Sequence, residues 1–356
     1  MSAGSSRRDF LTGRALTRAA GAAGEELADA LVVPPPSRGP NLVLRTTAMA
    51  CDFDVILNPD GPPDQVRAAS EALDLVQSLE DQYSVYRSNS ELSRLNRIAD
   101  ARRVPVEPAL YRLLRRAAEL SARTENAFNP VAGALIQLWR RCRTEDRLPT
   151  DEECAAAVRC CHVGAIDWDD DDASLSFLRP GLAFDLGAIG KGYAVDEAAR
   201  VLLEQGVGAF LVHGGRSSVL ARGGHAGHAG WPVGLNNPLL PEQPLLTLLL
   251  QDRALATSGT AVQGFRHGGR RYGHILDPRT GWPADKLLSV SVIAPDAALA
   301  DALSTAFFIL GVEKALACCD NFPDVGAILF PPPRQGLSLE PIYHNVPDGC
   351  VFPARV

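Results

Sequence analysis

Residues 185–196 place three glycines and one lysine in one short segment, Asp-Leu-Gly-Ala-Ile-Gly-Lys-Gly-Tyr-Ala-Val-Asp. A strand-like apolar run (182–184) precedes the segment and a helical pattern (193–203) follows it. The sequence therefore predicts a strand-to-helix turn, where free backbone N–H groups and the helix dipole favour an anion. Lys191 adds a mobile positive charge, so we expect a phosphate-bearing ligand. Turn formation and close packing are the alternative role for such glycines.

The spacing of these glycines excludes two common nucleotide-binding motifs. A Walker loop needs a glycine five positions before Gly-Lys-Ser/Thr, but position 185 is Asp and position 192 is Gly. The dinucleotide fingerprint Gly-x-Gly-x-x-Gly does not fit either, because the longer glycine spacing comes first. The glycine segment alone therefore does not identify the ligand.

The composition bounds the class of protein. With 356 residues, 46% of them apolar, the chain can form one large or two ordinary globular domains. A net charge of −7 with both signs interspersed argues against a nucleic-acid partner or an anionic membrane surface. A phosphate ligand then requires local positive charge or a metal cation. No stretch is long and apolar enough to predict a transmembrane segment.

The eight cysteines do not form a zinc-binding pattern, because no Cys-x-x-Cys pair has histidine partners at the required spacing. We expect reduced and mostly buried thiols. A disulfide between distant positions remains open at this stage.

Residues 1–40 are expected to be a tail or a weak export signal, and residues 41–356 the folded unit. Residues 6–11, Ser-Arg-Arg-Asp-Phe-Leu, resemble a twin-arginine signal. Charged residues interrupt the apolar stretch that should follow, namely Arg14, Arg18, Glu25 and Glu26. The cell envelope and the cytoplasm therefore both remain open as the compartment.

Hydrophobic periodicity predicts strands interspersed with helices, which favours a mixed α/β or α+β fold. Four aspartates at 169–172 predict a hairpin tip, since the glycine and the closing glutamate of an EF-hand loop are missing. The predicted helices are residues 65–84, 108–124, 129–140, 151–161, 193–205 and 297–310. The predicted strands are residues 42–57, 209–213, 231–235, 245–250, 253–258, 270–275 and 288–294.

The last predicted helix has Asp296 as its N-cap and Gly311 as its stop. Asp301 and Thr305 lie four residues apart and project from one face among apolar neighbours. A carboxylate and a hydroxyl one turn apart make half a site for a hard cation such as magnesium. Alternatively, Thr305 bonds to the helix backbone and Asp301 faces water.

Two further segments combine polar groups with turn residues. Residues 274–281, His-Ile-Leu-Asp-Pro-Arg-Thr-Gly, end a predicted strand in a turn, where His274 could be a general base, a ligand or an ordinary polar residue. Residues 256–259, Ala-Thr-Ser-Gly, have small side chains that would let a ligand approach the backbone closely.

Together these segments resemble the FAD:protein FMN transferase family over most of residues 45–330. Each match is weak by itself, but all occur in the family's order at plausible separations. The matching stretches are residues 49–53, 86–92, 128–130 with Gly133 and 138–139, 185–196, 214–215, 257–259, 272–281, and 300–301 with Thr305.

The resemblance implies a two-lobed fold of mixed or antiparallel sheets flanked by helices, with the ligand in a cleft between the lobes. It implies an enzyme that binds FAD with Mg²⁺ and passes FMN to a Thr or Ser hydroxyl of an acceptor protein, a redox subunit, with release of AMP. The implied metal ligands are Asp301, Thr305 and the carbonyl of Ala188. The implied FAD-binding residues are Met49, Tyr86, Ala127, Phe128, Asn129, Asp185, Lys191, Ser258 and Ile275.

For catalysis we predict that Lys191 contacts the phosphates and that His274 orients or deprotonates the acceptor hydroxyl. Asn129 stands where the family usually has Asp, and Cys51 replaces a small residue. Two alternatives remain open: a pyrophosphatase that cuts FAD to FMN and AMP, and a non-catalytic FAD-binding protein.

Overall fold

The computed structural model of the chain describes residues 39–260, 264–333, 336 and 338–353. The predicted tail and the twin-arginine-like segment lie outside these residues, apart from positions 39 and 40. Within the described residues no helix is both long and apolar enough to cross a membrane.

The described residues form eight α-helices and sixteen strands, one of which is only two residues long. The helices are α1 (Gln65–Tyr83), α2 (Glu91–Ile98), α3 (Pro108–Arg123), α4 (Gly133–Thr144), α5 (Asp151–Cys160), α6 (Gly190–Glu204), α7 (Ala297–Leu310) and α8 (Val312–Cys319). The strands are β1 (Leu42–Ala48), β2 (Cys51–Leu57), β3 (Val104–Pro105), β4 (Ile166–Asp169), β5 (Ser174–Phe177), β6 (Phe210–Gly214), β7 (Ser218–Arg222), β8 (Trp231–Asn236), β9 (Pro244–Leu250), β10 (Ala254–Gly259), β11 (Gly264–His267), β12 (Arg270–Gly273), β13 (Ser289–Ala294), β14 (Gly326–Phe330), β15 (Ile342–His344) and β16 (Val351–Pro353).

An antiparallel sheet of eight strands, in the order β1-β2-β6-β7-β10-β13-β14-β15, is the centre of the fold. Side chains alternate between its two faces. Phe53, Val55 and Val212 join the large core that includes residues of α1, α6 and α7, whereas Leu211 and Val219 join a second core with β8 and β9. The fold is therefore α+β, with helices on one face of the sheet and a three-stranded sheet, β16-β9-β8, on the other.

Strand register shows that the turns named in the sequence leave the sheet at one end. The β1–β2 turn (49–50) lies beside the β6–β7 turn (215–217), because Phe53 pairs with Gly214. Strand β10 runs toward the same end, where Gly259 pairs with Ser289 at the start of β13. The long connection 260–288 thus begins and ends at the end of the sheet that carries the other two turns.

Several predicted elements have different bounds in the structure. The predicted strand 42–57 is the hairpin β1–β2, because Met49 and Ala50 adopt positive φ values of 51° and 59°. The helix predicted from residue 129 begins at Gly133. The strand predicted for 270–275 ends at Gly273, so His274 and Ile275 follow it. The predicted hairpin at 169–172 is confirmed, since β4 pairs with β5.

Residues 182–184 do not form the predicted strand, and none of the strands in the described part of the chain includes them. Two of these residues bond to groups outside any sheet: Asn96 bonds both the N–H and the carbonyl of Phe184, and the N–H of Gly133 donates to the carbonyl of Ala183. Phe184 and the carbonyl of Ala183 therefore have hydrogen-bond partners without a sheet.

Candidate functional site

The crossing of α6 and α7 brings the glycine segment against the predicted metal ligands. Gly192 lies in the first turn of α6, and a Cβ atom there would be 2.1 Å from the carbonyl oxygen of Ala297 in α7. Because no side chain fits, the two backbones approach closely. The backbone N–H of Gly192 donates to Oδ2 of Asp301 at 2.7 Å.

Asp301 is only 6% exposed, and its other carboxylate oxygen, Oδ1, accepts a hydrogen bond of 2.6 Å from Oγ of Ser218. Ser218 begins β7 and is fully buried. No Lys, Arg or His of the described residues lies within ion-pair distance of this carboxylate. A buried carboxylate with two neutral donors and no basic partner is a site that a cation would stabilise.

A cluster of three hydroxyl groups lies one turn further along α7. Oγ of Ser258, near the end of β10, is 2.8 Å from Oγ of Ser304 and 3.2 Å from Oγ1 of Thr305. The hydroxyl of Ser304 also bonds the backbone carbonyl of Asp301. Oxygen donors of this kind suit Mg²⁺ rather than a soft metal. The described residues form no cluster of three or more His, Cys, Asp and Glu that could hold a metal.

Lys191 and Cys51 lie in the same region as Asp301. Burial raises the pKa of the Cys51 thiol, and the positive charge of Lys191 opposes this while the negative charge of Asp301 adds to it. Cys51 begins β2 and lies beside Gly215 of the β6–β7 turn, 3.1 Å from where a Cβ of that glycine would be. The adjacent Met49 turn therefore lies at the same end of the sheet as Lys191.

Only part of the glycine turn is open to an anion. The N–H groups of Gly187, Ile189, Gly190 and Gly192 all donate to other groups of the protein. The structure thus gives Gly192 the close-packing role that was the alternative to anion binding, whereas a Cβ at Gly190 would make only an ordinary contact of 3.5 Å. Positive charge near an anionic ligand would come mainly from side chains such as Lys191.

Tyr86, Arg140 and Asp185 form a second group of polar side chains. Tyr86 is 71% exposed, and the guanidinium carbon of Arg140 lies 4.2 Å from its ring centroid. Burial raises the pKa of Asp185, while the N–H of Gly187 and the charge of Arg140 lower it. An exposed aromatic ring beside a guanidinium can stack on a flat heteroaromatic ligand.

The segment containing Ala127, Phe128 and Asn129 is joined to Asp185, whose N–H donates to the carbonyl of Pro130. All three residues are buried. The side chain of Asn129 donates to the carbonyl of Cys161 and accepts from the N–H of Val131, so both of its polar atoms have protein partners. Its structural role is therefore to fix this loop.

Ile275 and His274 follow β12 at the start of a fixed turn. Ile275 is buried and accepts a hydrogen bond from the N–H of Ala284, whereas His274 is exposed. At the end of the turn, the indole of Trp139 donates to the carbonyl of Gly281 at 2.8 Å. This bond joins the turn to α4, the helix that carries Arg140.

The structure thus brings Ala188's turn, Lys191, Asp301, Ser258 and Thr305 into one region and connects Tyr86 with Asp185. Two surface depressions of about 500 Å³ lie elsewhere, one beside Tyr111 and Arg115 and one beside Pro331 and Ile342. Sequence reasoning missed Ser218, Ser304 and Arg140. Each lies close in sequence to a residue of the family resemblance: Ser218 follows Gly215 by three positions, Ser304 precedes Thr305, and Arg140 follows Trp139. This proximity is the signal that could have identified them.

Comparison with known proteins identifies the family to which the sequence is similar. The sequence pattern of the ApbE family matches residues 49–329. The FAD:protein FMN transferase of Treponema pallidum (strain Nichols) is 34% identical over 289 residues, which cover 77% of this chain and 80% of the relative. That of Klebsiella pneumoniae (strain 342) is 33% identical over 263 residues, covering 73% and 81% respectively.

Solved structures show the same fold. The ApbE protein of Thermotoga maritima aligns with a TM-score of 0.76 and 27% identity, over 86% of this chain and 97% of that one. The apo form of the flavinyl transferase ApbE of Pseudomonas stutzeri aligns with a TM-score of 0.73 and 27% identity, over 86% and 95%.

Proposed function

This chain belongs to the ApbE family, and from that premise we propose that it is a flavin transferase that moves the FMN part of FAD to a Thr or Ser hydroxyl of an acceptor protein, releasing AMP. Residues 41–356 would form the catalytic unit. The observation that carries the proposal is the buried carboxylate of Asp301, which has no basic partner among the described residues and lies one turn from the hydroxyl cluster of Ser258, Ser304 and Thr305.

These residues fit a magnesium ion. Asp301, Thr305 and the carbonyl of Ala188 would hold it, and the neighbouring hydroxyls offer further oxygen ligands. Magnesium bound here would neutralise charge on the diphosphate of FAD and make it a better electrophile. Gly192 and Ser218 orient the carboxylate, because each donates to a different oxygen of it.

The chain's other residues bind and orient the substrate. Lys191 would contact the diphosphate, and Tyr86 with Arg140 would stack on a flat ring of FAD. The remaining FAD contacts that we propose come from the Met49 turn, Ile275, Asp185, Ser258 and the segment 127–129. The buried residues of that segment would contribute backbone atoms.

His274 would orient or deprotonate the acceptor hydroxyl. Its exposure, beside the buried Ile275 and after the last residue of β12, leaves it open to an incoming protein. The hydroxyl oxygen would then attack the FMN phosphorus in line, and AMP would leave from the opposite side. The acceptor would receive FMN through a phosphoester bond.

The test incubates the full chain with FAD, Mg²⁺ and a candidate acceptor protein, and measures both AMP and the mass of the acceptor. We expect one AMP for each FMN added. Asp301→Ala should lower AMP release ~100-fold or more, since it removes the charged ligand. It should also abolish Mg²⁺ binding measured by titration calorimetry without FAD, which is a readout independent of activity.

Asp60→Ala, at an exposed carboxylate in a surface turn, is the matched control and should behave as the wild type. Normal turnover by Asp301→Ala would refute the metal site. AMP release without any acceptor adduct would instead identify a pyrophosphatase, and bound FAD without AMP release would identify a binding protein.

A further inference from the structure

Strands β11 and β12 form a separate two-stranded ribbon in the connection that follows β10. Phe265 pairs with Tyr272, and their stacked rings, 5.5 Å apart, both lie 6.0 Å from the ring of Trp139. One face of the ribbon therefore packs on α4. Side chains of the alternate positions, Arg266 and Arg271, point to the opposite face and are exposed.

Arg266 and Arg271 are directly opposite each other in the ribbon. Like charges at opposed positions destabilise an antiparallel pair. Arg271 donates to the carbonyl oxygen of Thr260, whereas Arg266 makes no ion pair or hydrogen bond with any side chain that the structure describes. The exposed face of the ribbon therefore carries two like charges at directly opposed positions.

The charge of the ribbon contrasts with that of the whole chain. Residues 264–273 contain three arginines, one histidine and no acidic residue, in a chain of net charge −7. Two other residues of the ribbon lie within ion-pair distance of acidic side chains: Asp146 lies 3.5 Å from His267, and Asp285 lies 3.6 Å from Arg270. Arg266, on the outer face, makes no ion pair with an acidic side chain of the described residues and contributes positive charge there.

This face lies next to the proposed active site. The ribbon ends at Gly273, the residue before His274. At its base, the bond from Arg271 reaches Thr260, two residues beyond Ser258 of the hydroxyl cluster. Because Arg271 precedes His274 by three positions, a segment bound along the outer face would reach His274 within about three extended residues.

We propose that the outer face of the β11–β12 ribbon, with Arg266 and Arg271, binds an acidic segment of the acceptor protein beside the hydroxyl to be modified. The inference rests on the proposed transferase function. Its physical basis is charge complementarity, since carboxylates accept hydrogen bonds from arginine in a well-defined geometry and guide the encounter.

The experiment uses the full-length chain, FAD, Mg²⁺ and a library of short synthetic peptides, each with one central threonine and randomised flanks. Mass spectrometry identifies the peptides that gain FMN. We expect Asp and Glu to be enriched beside the modified threonine with the wild type. Arg266→Glu should remove that enrichment and lower kcat/KM for an acidic peptide about tenfold, with the KM for FAD unchanged.

Arg102→Glu, at an exposed arginine in the turn before β3, makes the same charge change elsewhere and should keep the wild-type preference. Arg271→Gln removes a charge without reversing it and should weaken the preference for acidic peptides. It tests the proposal independently if Arg266→Glu does not fold. Modified peptides without acidic enrichment, or the same enrichment in Arg266→Glu, would overturn the docking proposal alone. A wild type that modifies no peptide would remove the transferase function, and this inference with it.

Discussion

Single residues determine how closely α6 and α7 can approach. Gly192 is the clearest case, because a methyl group at this position would overlap the backbone of Ala297 and Ala298. The same residue donates its N–H to Asp301. Its lack of a side chain is thus a requirement of both packing and the geometry of the proposed metal site.

Gly192→Ala should therefore destabilise the protein by ~3 kcal/mol, since a rigid backbone must move to admit the new methyl group. Urea unfolding followed by circular dichroism measures this. Gly208→Ala is the matched control: an added Cβ there meets nothing within 4 Å, and the change should be neutral or stabilise by less than ~1 kcal/mol. Equal effects of the two substitutions would contradict the close crossing.

Asp196 on α6 is a titratable group in the same helix crossing. Its carboxylate accepts the N–H groups of Ala297 and Ala298 at the start of α7. Burial and the negative charge of Asp296 raise its pKa to about 7. The folded protein then holds a proton on Asp196 from about pH 4 to about pH 7, where the unfolded chain has lost it.

Stability should consequently fall as the pH rises through this window, by up to about 1.4 kcal/mol per pH unit from this group. Asp196→Asn, which stays neutral, should remove that part of the slope. Urea unfolding across the window compares the two proteins, with Asp60→Asn as the exposed control. A variant that keeps the wild-type slope would show that Asp196 titrates normally in the fold.

At the scale of elements, the β1–β2 hairpin combines a regular register with a strained turn. All seven residues of β1 pair with β2, and only Met49 and Ala50 connect them. Both have positive φ, a conformation that suits two-residue hairpin turns but is unfavourable for residues with a Cβ. The strain lies at the end of the sheet that carries the proposed site, which is where such strain is often found.

Ala50→Gly should relieve the steric cost and stabilise the fold by ~0.5 kcal/mol, after the greater flexibility of glycine in the unfolded chain is subtracted. Ala48→Gly in β1, where the alanine is buried in a strand, should instead destabilise by ~1 kcal/mol. Thermal or urea unfolding distinguishes the two. If both substitutions destabilise equally, the turn at residue 50 is not strained.

At the scale of the whole molecule, all eight cysteines are free thiols, which bears out the expectation from their spacing. Five of them are buried, and burial raises the pKa of Cys161 and Cys319 to about 12. Since the thiolate is the reactive form, these groups should be inert in the folded protein.

A thiol reagent should therefore react with at most three cysteines of the native protein, Cys51, Cys160 and Cys350, and with all eight after denaturation without reductant. The absorbance of the coloured product released by the reagent gives the number of cysteines that have reacted. FAD with Mg²⁺ should slow the modification of Cys51, which lies beside Lys191. Fewer than eight reactive thiols in denaturant would indicate a disulfide and contradict the structure.

Local signals in the sequence were sufficient for much of the fold. The caps at Asp296 and Gly311 placed α7 correctly, because a side-chain acceptor and a glycine of positive φ are local requirements of helix ends. The pattern of 42–57 was less informative, since period-two alternation continues through a two-residue turn and hides the hairpin. The strand predicted for residues 182–184 was wrong because a short apolar segment does not specify its hydrogen-bond partners.

The sequence by itself determined the family, the α+β class and the residues that carry oxygen and nitrogen donors, because motif order and periodicity are properties of the chain. Only the tertiary structure decided which donors meet. Ser218 bonds Asp301, and Ser304 bonds Ser258. The N–H of Gly192 donates to Asp301, and both polar atoms of the Asn129 side chain bond to backbone groups. Most of these partnerships depend on strand register and helix crossing, which join residues from 32 to 109 positions apart and leave no local signature.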